Sequence, residues 1–515
     1  MRRTATRARA RRVTTLLATS AMLAGVAAVT TTAPTAAAAS SQATITIGST
    51  VGIPQLNPAV STFSWEETLY PLLWDGLTQL NAKGDVVPDL ATSWSSSPNS
   101  EQWQFTLRQG VKFSNGKPLT AADIVQDFRY YLKPSTPFQN ANEIASIKSV
   151  SSSGNTITFR LSAPNALFPE AITTVKAIYL PSLSDIDHHP IGTGPFTVQS
   201  FVPNSTLTLV ANRHYWGSAP KVAKLVFLTE PDPTSAFTAL KAGTIQVMGA
   251  IPDSDVSEVA HSSSLKLVKP EVPGSYVSWE VDTKAPPFNN VKARQALAYA
   301  INAKAVLNEA YFGVGTVSTE NDPISAKSPW YDPNLTKYTY NLAKAKQLFA
   351  QAGIKSGTTF TWWTTSAYPE WTTSGEILQA SLKQIGINLK IVSNDVSTWA
   401  AKFYPAGKSY PGLIVPNFQS TPEEPAFSLN FFMPNRCECN WNSATYASVF
   451  NSAIGTRSVV ARAKDWDRLQ AMINEQVPTY QPIQLEVDAA TSSSVSGVWE
   501  ESGDQLHLEG ASISS

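Results

Sequence analysis

Hydrophobic residues recur every second position over some stretches of this chain and every third or fourth over others, and the two periods interleave. Residues 41–49, SQATITIGS, read as a strand, followed by a turn, a loop and a helical run ending near Leu77. Between Pro88 and Leu132, past Trp94, a strand at 102–108 (QWQFTLR) leads through the turn Ser114-Asn115-Gly116 to Thr120 and Asp123. That pair has capping-box spacing ahead of a helix bearing Ile124, Val125, Phe128 and Leu132. Residues 224–252 read as strand, helix and strand with Gly243 at the helix exit, and residues 358–393 repeat that order, with Ser374 as N-cap and Gly386 at the exit. Further helices are predicted at 291–303, 341–352 and 457–476. Two separate βαβ units imply two α/β lobes, because parallel strands need crossovers and each sheet must be covered on both faces.

The chain's 515 residues exceed what a single core accommodates, which agrees with at least two lobes. The first 40 belong outside the fold. Six arginines from Arg2 to Arg12 precede the apolar run LLATSAMLAGVAAV and small residues suited to cleavage near Ala39, the order of an export signal read by the Sec or the twin-arginine route. Without those arginines 33 basic side chains face 39 acidic ones, a formal charge of −6 that argues against a nucleic-acid partner. No cysteine follows the apolar run to take a lipid anchor, and no later run approaches the roughly 18–20 residues that span a bilayer. The mature part is therefore expected to be soluble outside the cytoplasm, periplasmic or secreted. Cys437 and Cys439 are the only cysteines. In an exported chain they are expected to form a local disulfide rather than a metal site.

Residues 86–132 resemble the signature of the family 5 extracytoplasmic solute-binding proteins, the peptide, dipeptide and nickel receptors of ABC importers. The turn Leu56-Asn57-Pro58, the end Asp75-Gly76-Leu77, the segment 190–227 (PIGTGPF…HYWGSAPKVAKLVF) and residues 286–301 with Phe288, Arg294, Ala296 and Ile301 extend the resemblance over about 43–500. It implies an α/β fold of two lobes, periplasmic-binding-protein-like (type II, cluster C), with an extra α+β domain. Carried over, residues 43–70, 192–280 and 487–515 form lobe I, 71–191 the extra domain and 281–486 lobe II. The alternating strands YVSWEVD (276–282) and QPIQLEVD (481–488) are the candidate hinge crossings.

Ligands of open α/β sheets bind beyond the carboxyl ends of strands. In the second βαβ unit that position is the loop after Trp362 and Trp363, with Tyr368, Glu370 and Trp371 at its lip. The resemblance to oligopeptide receptors places Thr62, Phe63, Ser64 and Trp65 on the lobe I side, and Trp399 and Phe418, with Gln419, on the lobe II side. Trp279 and Glu280 lie on the first crossing. Where those receptors hold the peptide's ammonium with an aspartate, this chain has Thr421, and Ala406 and Val415 stand at the spacings of their carboxylate-binding arginines. A hydroxyl cannot offset the desolvation of an ammonium as a carboxylate does. Glu423, Glu424 and Glu280 are candidate replacements, although carboxylates beside a Pro turn are usually solvated.

The resemblance implies a monomeric receptor, without cofactor, that captures a peptide-like solute and presents it to permease subunits in the membrane. An aromatic and hydroxylic pocket also suits an oligosaccharide. A secreted hydrolase is disfavoured: the five histidines include no HExxH helix, there is no GxSxG elbow, and neither cysteine sits in a nucleophile context. A secreted binding protein acting without a transporter is the third reading.

Overall fold

The computed structural model describes residues 43–514 except 61–66, 139, 405, 420–424, 487–488 and 503–504. The proposed export segment 1–40 lies outside the described residues.

Two seven-stranded sheets dominate. In the first, Thr44–Ser49 is central and runs parallel to both neighbours, Lys224–Thr229 and Val247–Met248. Its alternation buries Ile45 and Ile47 completely. The flanks are antiparallel: Thr206–Ala211 and Phe196–Val202 on one side, Ala489–Ser492 and Leu265–Val268 on the other. The first βαβ unit therefore brackets the N-terminal strand instead of pairing with itself. Its helix, Pro233–Lys241, starts where the Asp232 carboxylate accepts Ser235 N–H at 2.7 Å.

The second sheet follows the order Thr316–Val317, Ile483–Gln484, Tyr276–Glu280, Leu413–Gln419, Thr359–Thr365, Asn388–Asn394, with Thr479–Tyr480 also on the Tyr276 strand. Here the βαβ unit pairs directly, Thr359–Thr365 running parallel to Asn388–Asn394. Its helix begins at Pro369, not at Ser374, and runs to Gln384. Proline suits a helix's first turn, where its missing N–H is not needed, so Pro369 outweighs the hydroxyl. Ser374 instead sits mid-helix, its Oγ donating to the Glu370 carbonyl oxygen at 2.7 Å. Likewise 291–303 is interrupted: Val291–Ala300 ends, and Asn302 caps a new helix, Ala303–Ala310, by accepting Ala305 N–H at 3.1 Å. The Thr120–Asp123 capping box forms reciprocally at the start of Ala121–Tyr131.

A third, antiparallel sheet orders Ala91–Ser96, Gln102–Leu107, Thr156–Leu161 and Ile147–Ser153. Phe128 of the capped helix packs edge-on against Phe159 at 4.7 Å, and this core is continuous with that of the first sheet. The second sheet has its own core around Trp279, Trp362 and Phe360.

The chain passes between the large sheets at two places that lie side by side. Tyr276 pairs with Gln484 and Trp279 with Tyr480, while Leu485 N–H donates to the Ser275 carbonyl oxygen at 2.8 Å. Among the described residues, no helix is long and apolar enough to cross a membrane.

Candidate ligand-binding site

Strand parity sorts the sequence candidates on the second sheet, because successive side chains point to opposite faces. Trp279 and Trp362 share the inner face, edge to face at 4.8 Å, and Trp279 is wholly buried. Trp363 and Glu280 project from the other side. Trp363 Nε1 donates to the Trp399 carbonyl oxygen at 3.3 Å. There the helices Pro369–Gln384 and Val396–Phe403 bring Trp371 and Trp399 to 5.2 Å, and Tyr368 packs at a tilt against Trp371 at 4.3 Å. Phe418, on Leu413–Gln419, completes this aromatic wall 6.4 Å from Trp371. Trp371 and Trp399 are only 2% and 6% exposed, whereas Phe418 is 44% exposed. Trp399 Nε1 is buried without a hydrogen-bond partner.

Glu280 projects from the same face of the sheet. It is fully buried, with Oε1 accepting Ser278 Oγ at 2.7 Å and Oε2 unpartnered. Burial, reinforced by the charge of Glu438, pushes its carboxyl up to about 8. It lies against Cys437 and Cys439, which are joined as a disulfide. Gln419 is half-buried at the end of its strand. Thr62, Phe63, Ser64, Trp65 and Thr421, with Glu423 and Glu424, lie outside the described residues.

A second region was not singled out from the sequence. A cavity of about 270 Å³ opens where residues from 58 to 89 and 173 to 176 meet Phe427 and the C-terminal segment from Glu501 to Glu509. On one side of it Asp75 accepts Trp216 Nε1 at 2.8 Å, and Asp89 accepts Gly76 N–H at 2.8 Å. Burial raises both carboxyls, and the charge of Asp75 raises Asp89 further against the opposing pull of Lys176. On the other side His507 lies flat on Trp499 at 3.6 Å, with Nδ1 2.9 Å from Glu509 and Nε2 3.3 Å from Glu501. Burial alone would depress this imidazole, but the two carboxylates outweigh it and hold it at about 9. His507 is thus an imidazolium at neutral pH. These groups come from distant parts of the chain, and no local motif marks them.

A fold with two sheets joined at a narrow double crossing, an aromatic wall on one and a charged cavity beside the other, is that of a binding protein of the periplasmic type. The model of the bacterial extracellular solute-binding proteins, family 5, matches residues 85–436, more than half of the chain, and the chain belongs to that family. Among its relatives are heme-binding protein A of Haemophilus influenzae, 27% identical over 76% of this chain and 78% of the relative. The dipeptide-binding protein of Escherichia coli is 30% identical over 60% and 63% of the two chains, and its nickel-binding periplasmic protein 28% over 70% and 72%. Among solved structures, AgaA of A. tumefaciens R10 in complex with agropinic acid superposes with a TM-score of 0.80 at 22% identity, covering 92% of this chain and 99% of that one. HbpA2 of Haemophilus parasuis gives 0.78 at 24%, covering 92% and 100%. The fold is therefore the two-lobed α/β architecture of family 5 binding proteins, and these relatives are binding proteins rather than enzymes.

Proposed function

We propose that this chain is an exported, monomeric receptor that captures a peptide-like solute between its two lobes and presents the closed form to the permease of an ABC importer. The observation that carries this reading is that the chain passes between two separately cored α/β sheets twice, after Val268 and before Ala489, with Leu485 N–H donating to the Ser275 carbonyl oxygen where the two segments meet. Such a joint lets the lobes approach as bodies, so a solute touching both favours the closed state by its differential affinity. Turning a 1:99 mixture into 99:1 takes about 5.5 kcal/mol. Relatives named for dipeptide and glutathione binding support the peptide class.

On lobe II the open aromatic contact is Phe418, and the tryptophans behind it are covered and act as its backing. Relatives named for dipeptide and glutathione binding place the carbohydrate reading second. Residues 62–65 and Thr421 are assigned to the two lips of the cleft by the family pattern, with Gln419 beside Phe418. Titration of the mature protein with di- to pentapeptides and with oligosaccharides, followed by tryptophan fluorescence, tests the proposal. Saturable change with peptides alone supports it. A response only to oligosaccharides replaces the ligand class, and turnover of any ligand replaces the receptor by an enzyme.

A further inference from the structure

Leu167 and Phe168 are neighbours in the chain but belong to different cores. Phe168 is wholly buried under the third sheet, edge-on to Phe105 and Phe159. Leu167 packs instead on a core that includes Leu429, Phe432, Tyr446 and Phe450. The helix Val459–Gln476 carries Trp466 and Ile473 in that core and leads into Val477, which lies in the core of the second sheet. The segment around Leu167 is anchored to its own side, where Trp103 Nε1 donates to the Asn165 carbonyl oxygen at 3.0 Å and Asn165 N–H donates to that of Ser100 at 3.2 Å. From this base Ala166 N–H reaches across to the Ile454 carbonyl oxygen at 2.6 Å. Beside it Asn430 Nδ2 donates to Glu143 Oε1 at 2.9 Å. Pro164 fits against Gly455, where a Cβ would stand 3.3 Å from the Pro164 Cβ.

This contact is not packed as a core is. A cavity of about 170 Å³ remains between its two sides, lined by Glu143 and Asn165 on one and by Asn430, Arg436 and Asn451 on the other. Interiors that never part are close-packed, whereas interfaces between bodies that move are more polar. Burial raises the Glu143 carboxyl, and the charge of Arg436 and the Asn430 hydrogen bond draw it back. Water can solvate these groups once the sides separate, and none of them lies on either crossing. We infer that Glu143 and residues 164–167 form a latch, gripping Asn430 and Ile454 when the lobes close and releasing them when they open. The closed population is then set in part by a contact of the protein with itself. The latch rests on the receptor reading above and deepens it by adding a regulation of the same closure.

Pulsed electron dipolar spectroscopy of the mature protein tests this, with spin labels at Lys148→Cys and Lys464→Cys, exposed positions on the two sides. Cys437 and Cys439 are bonded to each other and take no label. Two variants act by different means: Glu143→Ala removes the acceptor of Asn430, and Gly455→Val sets a branched side chain against Pro164. Each should raise the ratio of long to short separations about ten-fold over the labelled wild type, while the urea midpoint stays close to the wild-type value. Separations unchanged in either variant, with or without a loss of stability, describe a permanent interface and overturn the latch. Failure of both variants to fold overturns it as well, and where one alone folds, that one decides. Di- to pentapeptides separate the latch from the receptor reading. A peptide that shortens the separation should be needed at about ten-fold higher concentration in Glu143→Ala. Equal concentrations remove the latch and leave the receptor. Separations that shift with the variants but with no peptide leave the latch and remove the peptide reading.

Discussion

The aromatic wall and the acidic cavity are built on opposite principles. The wall takes its rings from one stretch, Trp363 to Phe418, and packs them on each other, so that water is excluded with little left uncompensated apart from the Trp399 indole. The cavity gathers Asp75, Asp89, Lys176, His507 and Glu509 from parts of the chain more than 400 residues apart, where burial raises the two aspartates and Glu501 and Glu509 hold His507 protonated. A surface of the first kind contributes stability whether or not a solute is present. One of the second kind depends on which of its groups are ionised, and therefore on pH.

Substitutions can break that contrast, and the largest effect is expected deep in the wall. Trp399→Ala empties a nearly closed site and should destabilise the protein by about 3–5 kcal/mol in urea unfolding. A change below about 1 kcal/mol would mean that the ring is not part of the core. Next comes His507. Its folded-state pKa of about 9 lies above the ordinary value, so its pairing stabilises the fold fully below about pH 6.5 and is lost as pH rises through about 9. Between about pH 6 and pH 10 the wild type should lose on the order of 3 kcal/mol more than His507→Gln, read from urea midpoints at each pH. Parallel pH profiles would remove the imidazolium from the cavity's charge balance. The smallest effect on stability belongs to Phe418→Ala. Its exposed ring should cost under about 1 kcal/mol of folding stability, yet its loss should weaken peptide binding about ten-fold, a separation that a core residue could not give.

What could be read in the sequence divides along the same line. Thr120 and Asp123 announced their helix because a capping box is complete within four residues. The helix after Trp363 carries two start signals, Pro369 and Ser374, and the structure begins it at the proline, earlier than the serine predicts. Trp279 and Glu280, both expected on the first crossing, part company because strand parity sends one into the Trp362 core and the other against Cys437 and Cys439. Trp363, Trp371, Trp399 and Phe418 do converge, because they lie on consecutive elements of one α/β unit. The cavity was illegible for the opposite reason. Asp75 was visible as part of Asp75-Gly76-Leu77, but nothing local connects it to His507, whose proximity depends on how the C-terminal strands fold back.

The central claim is that a peptide-like solute is held, unchanged, by a single chain. Native mass spectrometry of the mature protein isolated from cells that export it tests this most directly. The account predicts a monomer carrying one solute, released intact on denaturation and identified as a peptide or peptide derivative. A bound oligosaccharide, a cleaved product, or a chain that retains no solute even after titration with peptides would contradict it.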